Sequence, residues 1–557
     1  MATEVNNSSS NLNVTIDPNI VRGYDVRGYI RPVVAGGKER PQNLNPEIAE
    51  AFGRAVGSLI EIGGTVAVTS DHRHLSPELV QGLTRGFTRI GINVIHNTNQ
   101  EIYDGHSFLP TGALSWYLIK SQLQGAIQVT GSHNPPEFNG LKISVGLKAL
   151  FGEDLQKLIP IINEGRFRAD VDKVQRGKVS KVDILGQYMA MLRLAFEQYK
   201  HKLHVVMDAG NGIGRVITPI LRHAGCEVEE MFAKPISSFP NHLADPSSDE
   251  GTHALRERIK TLNTALKTSE QPWIGIALDG DSDRSGFVDE QGDVVWPERM
   301  AAIFYADYLD EPANHGHVLA LDVRASNVVR DTVIKHGGNG LFITAGYPSH
   351  RQFASLEIPE LNKTRVEVSA EASGHFFFPT ASLDEKGNIL EYAKNYLIDD
   401  GIYSALRFLK IVDKRGVEKA STVREIMAEL PTYATSNELR LYVPDEIKND
   451  LVDTVRQELI KRYSSELATQ VPMQVINGLK IQGHTASIVE VDGIRLQFSD
   501  GAWLVVRISN TSPNIVVKFE AKTKERLHSL MQVVRELLAT KDQVELGPLD
   551  QEMENWG

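Results

Sequence analysis

Residues 125–142 read GAIQVTGSHNPPEFNGLK. Gly125 to Val129 is a short apolar run of strand type, and it passes directly into Thr130-Gly131-Ser132-His133-Asn134-Pro135. The Gly and the Asn-Pro pair force a turn there, and Pro135 pushes Asn134 away from helical angles. Ser132 is thereby presented at the tip of a tight loop, with His133 beside it and Lys142 a few residues on. A hydroxyl next to an imidazole and an ammonium suits a nucleophile or a phosphoryl carrier. A Ser in a Gly/Asn/Pro loop more often only caps a turn. The G-x-S-x-G elbow of hydrolases also fails, because Asn134 stands where its second Gly would be. The companions of this loop decide between the two readings.

Outward from this stretch one theme recurs: a β-branched run ends in Asp or Gly and an amphipathic helix pattern follows. It is seen at Val66 to Asp71, at Val205 to Asp208, at Ile274 to Asp279 and at Val318 to Asp322. Alternation of this kind predicts parallel α/β layers, with ligands gathered at the carboxyl ends of the strands. The last quarter changes character. Ser487 to Phe498 (SIVEVDGIRLQF) predicts two strands joined by the hairpin signal Asp492-Gly493. Trp503 to Ile508 and Asn514 to Phe519 predict two more strands, and a helix follows with Leu527, Leu530, Met531, Val534 and Leu537/Leu538 on one side. This is an α+β module of antiparallel type. Charge-rich, weakly patterned stretches near 164–183 and 410–420 mark candidate boundaries. The Ser/Asn-rich start MATEVNNSSSNLN is expected to be a floppy tail, and the acidic segment after Lys541 to be loosely held.

A chain of 557 residues has room for three or four domains. No apolar run is long enough to span a bilayer, and the amino end lacks the basic and apolar regions of a signal peptide. One cysteine, Cys226, excludes an intrachain disulfide and suits a reducing cytosol, so a cytoplasmic location is expected. The net charge of −12 argues against a general nucleic-acid binder. It leaves room for a small phosphate ligand in a local basic pocket.

Five further loops carry chemistry. Arg22-Gly23-Tyr24-Asp25-Val26-Arg27-Gly28 lets two Arg, a Tyr and an Asp converge between glycines, or forms a polar surface turn. Gly210-Asn211-Gly212-Ile213-Gly214 imitates a dinucleotide fingerprint, but Arg215 falls where the third Gly should be. The sharpest signal is Asp279-Gly280-Asp281-Ser282-Asp283-Arg284, directly after an apolar run. Three carboxylates this close repel one another unless a cation neutralises them, and hard oxygen ligands favour Mg²⁺ or Ca²⁺. An EF-hand is ruled out by Arg284 where Gly is demanded and by the strand that precedes the loop. A phosphatase with a D-x-D nucleophile at Asp279 is a rival, weakened by Asp283. Glu371-Ala372-Ser373-Gly374-His375 places an acid, a hydroxyl and an imidazole around a Gly, suited to sugar hydroxyls, although a His beside aromatics is often a core residue. Arg507-Ile508-Ser509-Asn510-Thr511-Ser512-Pro513 offers the donor set that cradles a phosphate dianion.

Together these loops resemble one family, the α-D-phosphohexomutases, most closely their bacterial phosphomannomutase/phosphoglucomutase branch. Four ordered motifs carry the resemblance: TGSHNP at 130–135, DGDSDR at 279–284, EASGH at 371–375 and RISNTSP at 507–513. YDVRG at 24–28, NGLK at 139–142 and DDGIYSA at 399–405 agree with it. The resemblance implies three mixed α/β domains and a C-terminal α+β, TATA-binding-protein-like domain around a central cleft. The expected divisions are 1–183 with the phosphoserine loop, 184–295 with the metal loop, 296–411 with the sugar loop and 412–557 with the phosphate loop.

By the same resemblance Ser132 carries a phosphoryl group, and Mg²⁺ is held by Asp279, Asp281, Asp283 and a phosphoserine oxygen. Tyr24, Arg27, His133, Lys142 and Arg284 surround that centre, with Lys142 or His133 assisting proton movement. Glu371 and Ser373 bind sugar hydroxyls, and His375 is a candidate proton shuttle. Arg507, Ser509, Asn510 and Thr511 grip the phosphate that is not reacting. Arg324 and Tyr347 mark departures, since branch members often carry Lys and His in these sugar-touching loops. The implied reaction moves phosphate between C1 and C6 of a hexose through glucose 1,6-bisphosphate or mannose 1,6-bisphosphate. Its partners are small sugar phosphates, with no nucleic acid, no membrane and a monomer or small homo-oligomer. A phosphoglucosamine mutase is a neighbouring reading, although its serine loop usually reads SASHNP. An Asp279 phosphatase and a silent sugar-phosphate sensor are the readings from other classes.

Overall fold

The computed structural model describes residues 14–35, 38–267, 271–343, 346–354, 366–419, 422–468, 473–477, 480–481, 487–490, 493–509 and 513–556. The amino-terminal stretch read as a tail lies outside them. The chain divides into two compact units, Met1–Val294 with Pro379–Lys419, and Val295–Phe378 with Ala420–Gly557.

In the first unit one sheet runs in the order Val26–Tyr29, Phe138–Val145, Gly125–Val129, Thr65–Ser70, Asn93–Asn97, Val179–Val182. Thr65–Ser70 is parallel to both Asn93–Asn97 and Gly125–Val129, and Phe138–Val145 is antiparallel to Gly125–Val129. Every residue of Gly125–Val129 is buried. A strand with partners on both edges and cover on both faces buries all its side chains, and its one polar residue, Gln128, is paired, accepting from Thr69 Oγ1 and donating to Leu109 O at 2.7 Å. A second sheet places His204–Asp208 between Glu227–Met231 and Trp273–Leu278, all parallel, with Ser285–Val288 antiparallel beyond. Helix Gly401–Lys419 packs on the last two of these strands. The charged stretch near 410–420 is therefore, up to Lys419, the end of a helix, and the chain passes to the second unit after it.

In the second unit Val318–Asp322 is parallel to Asn339–Ile343 on one side and Val366–Ala370 on the other, and Phe376–Phe378 is antiparallel to Val366–Ala370. Beyond Asn339–Ile343 lies a strand from the last quarter of the chain, Met473–Asn477, in parallel register. The pattern of that quarter gave no sign of it. The antiparallel module has the expected order: Asn514–Ala521 pairs with Trp503–Ile508, and Trp503–Ile508 with Gly493–Gln497. Ile488–Val489 closes the edge against Gly493–Gln497. The Asp492 half of the expected hairpin turn lies outside the described residues. Helices Asp445–Tyr463 and Lys524–Leu538 cover this sheet with one apolar core. The acidic tail differs from expectation: it forms helix Gly547–Trp556. Leu549, Met553 and Trp556 fall on one helical face and, with Leu546 just before the helix, join that core, and Asn437 grips both oxygens of Glu552.

Candidate active site

Strand Gly125–Val129 delivers the serine loop and strand Trp273–Leu278 delivers the aspartate loop, each at its carboxyl end. The two loops meet. Ser132 Oγ donates to Asp279 Oδ2 at 3.1 Å and lies 3.3 Å from His133 Nδ1. Ser132 is 3 % exposed and has φ of 51°, in the left-handed region that a non-glycine residue rarely occupies. Such a conformation persists only where the surroundings over-determine it.

Those surroundings are Arg73, Asp71 and Thr130; Arg73 drew no functional notice in the sequence, and Asp71 only as a strand end where ligands gather. The buried Arg73 guanidinium donates to the carbonyls of Ser132 (2.6 Å), Pro135 (2.8 Å), Phe138 (3.0 Å) and Asn134. Asp71, at the end of strand Thr65–Ser70, accepts from Thr130 Oγ1 at 2.7 Å, and Thr130 Oγ1 accepts the Ser132 amide at 2.9 Å. Arg27 adds a strap, donating to Thr130 O at 2.6 Å while forked on Asp25. Tyr24, in the turn before strand Val26–Tyr29, is half-buried.

Asp279, Asp281 and Asp283 are fully buried, and one oxygen from each lies within 4.8 Å of the others. Lys142, from the centre of strand Phe138–Val145, donates to Asp281 Oδ2 at 2.9 Å and to Asp283 Oδ2. Thr111 Oγ1 donates to the same Asp281 oxygen at 2.6 Å, and its amide to the Asp281 carbonyl at 3.1 Å. The Arg284 amide caps Asp279 Oδ1 at 3.2 Å, with its guanidinium 3.9 Å from Oδ2. Burial and the Asp283 and Asp281 charges hold Asp279 well above the usual carboxylate range, against Arg284 and Lys142. Burial and Asp283 also push Asp281 up, but the Lys142 charge and the hydrogen bonds from Thr111 and Lys142 leave it below its ordinary value. Asp281 Oδ1 is buried with no hydrogen-bond donor among the described residues. An orphaned carboxylate oxygen beside two others is an all-oxygen donor set, which fits a hard divalent cation.

Two other motifs prove to be supports. Gly212 of GNGIG backs onto the aspartate loop, where a Cβ would stand 2.8 Å from Gly280 O, and the Ile213 amide donates to that oxygen at 3.2 Å. Gly401 of DDGIYSA donates its amide to Ser282 O at 3.1 Å, and Asp400 Oδ2 accepts from Tyr188 at 2.6 Å.

The second unit carries the remaining expected residues. Asp322 ends strand Val318–Asp322, and two residues on the buried Arg324 is held by three carboxylates. It donates from Nε to Asp322 Oδ1 (2.9 Å), from Nη2 to Glu371 Oε1 (3.1 Å) and from Nη1 to Glu438 Oε2 (2.7 Å). Glu371 also accepts the Gly346 amide at 2.9 Å and faces His375 Nδ1 at 3.3 Å, which lies 2.9 Å from Ser373 Oγ. Despite burial, His375 and Arg324 hold Glu371 well below the usual range. Tyr347 opens helix Tyr347–Ala354 and is buried, with the Arg351 guanidinium 5.3 Å from its ring centre. Arg507 and Ser509 are buried at the end of strand Trp503–Ile508, and the Ser509 amide donates to Asn514 O at 2.9 Å. Asn510 and Thr511 lie outside the described residues. Glu438, which the sequence did not single out, also feels the Arg507 charge.

The chain is similar to known proteins over nearly its whole length. It matches four family models of phosphoglucomutase/phosphomannomutase: alpha/beta/alpha domain I over residues 19–168, domain II over 187–292, domain III over 296–433 and the C-terminal domain over 459–537. The phosphomannomutase/phosphoglucomutase of Pseudomonas syringae pv. tomato is 30% identical over 532 residues, 95% of this chain and 96% of its own length. The phosphoglucomutase of Neisseria gonorrhoeae is 29% identical over 528 residues, 94% of this chain and 98% of its own. A solved phosphoglucomutase/phosphomannomutase family protein from Burkholderia thailandensis is 26% identical with a TM-score of 0.73, covering 94% of this chain and 98% of that one. With its four-domain α/β architecture, the chain belongs to the phosphoglucomutase/phosphomannomutase family.

Proposed function

We propose that the protein is a phosphohexomutase that interconverts hexose 1-phosphate and hexose 6-phosphate, with glucose or mannose as the sugar, through a phosphoserine at Ser132. The observation that carries this reading is the 3.1 Å approach of Ser132 Oγ to Asp279, inside a buried group of three carboxylates. Asp279, Asp281 and Asp283, with a phosphate oxygen on Ser132, would hold Mg²⁺, which when bound supplies withdrawal of charge from the transferring phosphoryl group.

The chain's own residues do the rest. Phosphoserine 132 gives its phosphoryl group to the free hydroxyl of a bound hexose monophosphate. The P–Oγ bond breaks, a P–O bond to the sugar forms, and the hydroxyl proton passes to a base. His133, beside Oγ, and Lys142, beside Asp281, would assist proton movement and neutralise developing charge. The resulting glucose 1,6-bisphosphate or mannose 1,6-bisphosphate turns round and returns its other phosphate to Ser132. Glu371 and Ser373 read sugar hydroxyls, His375 shuttles a proton, and Arg324 and Tyr347 shape the sugar preference. Arg507, Ser509, Asn510 and Thr511 grip whichever phosphate is not reacting, which lets one site serve both orientations. Among the described residues no helix is long and apolar enough to cross a membrane, in keeping with a cytoplasmic place for such an enzyme.

A coupled assay with glucose 1-phosphate and mannose 1-phosphate, with and without hexose 1,6-bisphosphate, tests this. Wild type should turn over with activation by the bisphosphate, and Ser132→Ala should be inactive. Activity that survives Ser132→Ala but is abolished by Asp279→Asn would replace the mutase with a phosphatase.

A further inference from the structure

The loop that carries Arg324 is gripped from the C-terminal antiparallel sheet. This loop spans residues 323–326, between strand Val318–Asp322 and helix Asn327–Lys335. On one side of it stands Glu520, on strand Asn514–Ala521, with no exposed surface. Its Oε1 accepts the Asn327 amide at 2.8 Å and Trp503 Nε1 at 2.7 Å. Its Oε2 accepts Thr435 Oγ1 at 2.9 Å and Ser326 Oγ. On the other side stands Arg495, on strand Gly493–Gln497, 1 % exposed. Its Nη1 donates to both Val323 O and Ala325 O at 2.8 Å, so it bridges the two residues that flank Arg324. The guanidinium is sandwiched between the rings of Trp503 (3.8 Å) and Phe342 (4.5 Å). Asn327 Nδ2 adds a bond to Gly501 O at 2.6 Å.

Each partner fits its task chemically. Four donors converge on Glu520, and a carboxylate, which accepts on every lone pair, meets all four without either hydroxyl having to turn. The Asn327 amide is one of the orphan donors at a helix start, where a carboxylate is further favoured by the helix dipole. Val323 and Ala325 present carbonyls to the interior, which cost free energy unless paired. A planar guanidinium reaches both at once, whereas an ammonium is a single point. Burying two charges for this purpose is expensive. A loop that needed only to be closed off could have done so with apolar side chains.

The strand between those of Arg495 and Glu520, Trp503–Ile508, carries Arg507 and leads into Ser509. Trp503 and Glu520 are cross-strand partners, and the pair Ile508–Ile515 lies at the far end of the same ladder, next to Arg507 and Ser509. Five residue steps separate the ends, roughly 17 Å of ladder. We infer that Glu520 and Arg495 are positioning residues, which fix the Arg324 loop on the sheet that bears Arg507 and Ser509 and so keep sugar-hydroxyl recognition and phosphate grip at one spacing. The inference rests on the reading of Arg324 as a sugar-facing residue.

The test is steady-state kinetics of the full chain with glucose 1-phosphate and mannose 1-phosphate. The variants are Glu520→Ala, Glu520→Gln, Arg495→Lys and Arg324→Met, each with a thermal melt. Glu520→Ala and Arg495→Lys should raise KM on the order of tenfold, with a smaller change in kcat. Glu520→Gln should restore KM, because the Ser326 and Thr435 hydroxyls can turn to accept from its amide. A purely structural role would lower Tm but leave the KM of the folded enzyme unchanged, and that result for Arg495→Lys would overturn the inference even if Glu520→Ala did not fold. If Arg324→Met leaves KM unchanged, the sugar-facing reading itself is wrong. If Arg324→Met raises KM while Glu520→Ala and Arg495→Lys do not, the reading survives and the positioning role fails.

Discussion

A Cβ placed on Gly280 would stand 2.7 Å from the carbonyl oxygen of Ser132, so the aspartate loop and the serine loop touch backbone to backbone. Neither partner is the flexible end of a side chain, so a methyl group at 280 has to drive the loops apart by several tenths of an ångström. Gly280→Ala is therefore expected to lower kcat by about 10- to 100-fold while costing only about 1–3 kcal/mol of stability. Rapid kinetics beside a thermal melt checks this. Wild-type turnover in the variant would mean the contact is incidental.

Thr111 fixes Asp281 Oδ2, while Oδ1 has no donor among the described residues. Partners behind a metal ligand typically govern affinity by about 10- to 100-fold. Thr111→Val keeps the shape and loses the hydroxyl, so Mn²⁺ affinity, followed by the electron spin resonance signal of the free ion, should fall by about that factor. Thr111→Ser should recover most of it. Equal Mn²⁺ affinity in Thr111→Val and wild type would sink this assignment.

Arg73 satisfies four carbonyls of the serine loop with one guanidinium. Arg73→Lys cannot span them and leaves buried acceptors unpaired, at a cost of about 2–4 kcal/mol. The expected signs are a lower Tm and faster proteolytic cleavage within residues 130–138. An unshifted melt would show that water or neighbouring donors replace the fork.

Two buried groups give opposite pH dependences. Burial pulls the His350 imidazole down to about 4, against the Glu371 and Asp322 charges. Its contribution to stability is full above its unfolded value near 6.5 and is lost as pH falls towards 4. Burial pushes Asp400 up to about 6, against the Tyr188 hydrogen bond. That contribution is full below the unfolded value near 3.9 and is lost as pH rises through 6. Each is on the order of 1–3 kcal/mol. Melts between pH 4 and 7 should show the gap between wild type and His350→Gln narrowing on acidification. The gap to Asp400→Asn should narrow on alkalinisation.

Local signals in the sequence went far because the chemistry is local. Asp279, Asp281 and Asp283 lie in five consecutive residues, and a strand must deliver such a group to a turn. The serine loop was legible for the same reason, its Gly and Asn-Pro dictating a tip. Arg73 and Thr111 were not legible. Their roles come from contacts with residues 59 or more positions away, and nothing in -Asp-His-Arg- or -Leu-Pro-Thr- differs from ordinary loop chemistry. Arg495 and Glu520 were hidden by alternation, since a strand pattern says that a charged residue faces one side but not what waits there. The carboxy-terminal helix was misjudged because acidic composition outweighed four apolar residues at helical spacing.

The strand Met473–Asn477 completes its sheet by lying beside Asn339–Ile343, from well over a hundred residues downstream. During synthesis the Asn339–Ile343 edge therefore emerges from the ribosome long before its neighbour exists, and its backbone groups wait unpaired. An open edge of apolar strand is a template for mispairing with other chains. Nascent chains that end between about 345 and 470 are therefore expected to be the species most in need of chaperones.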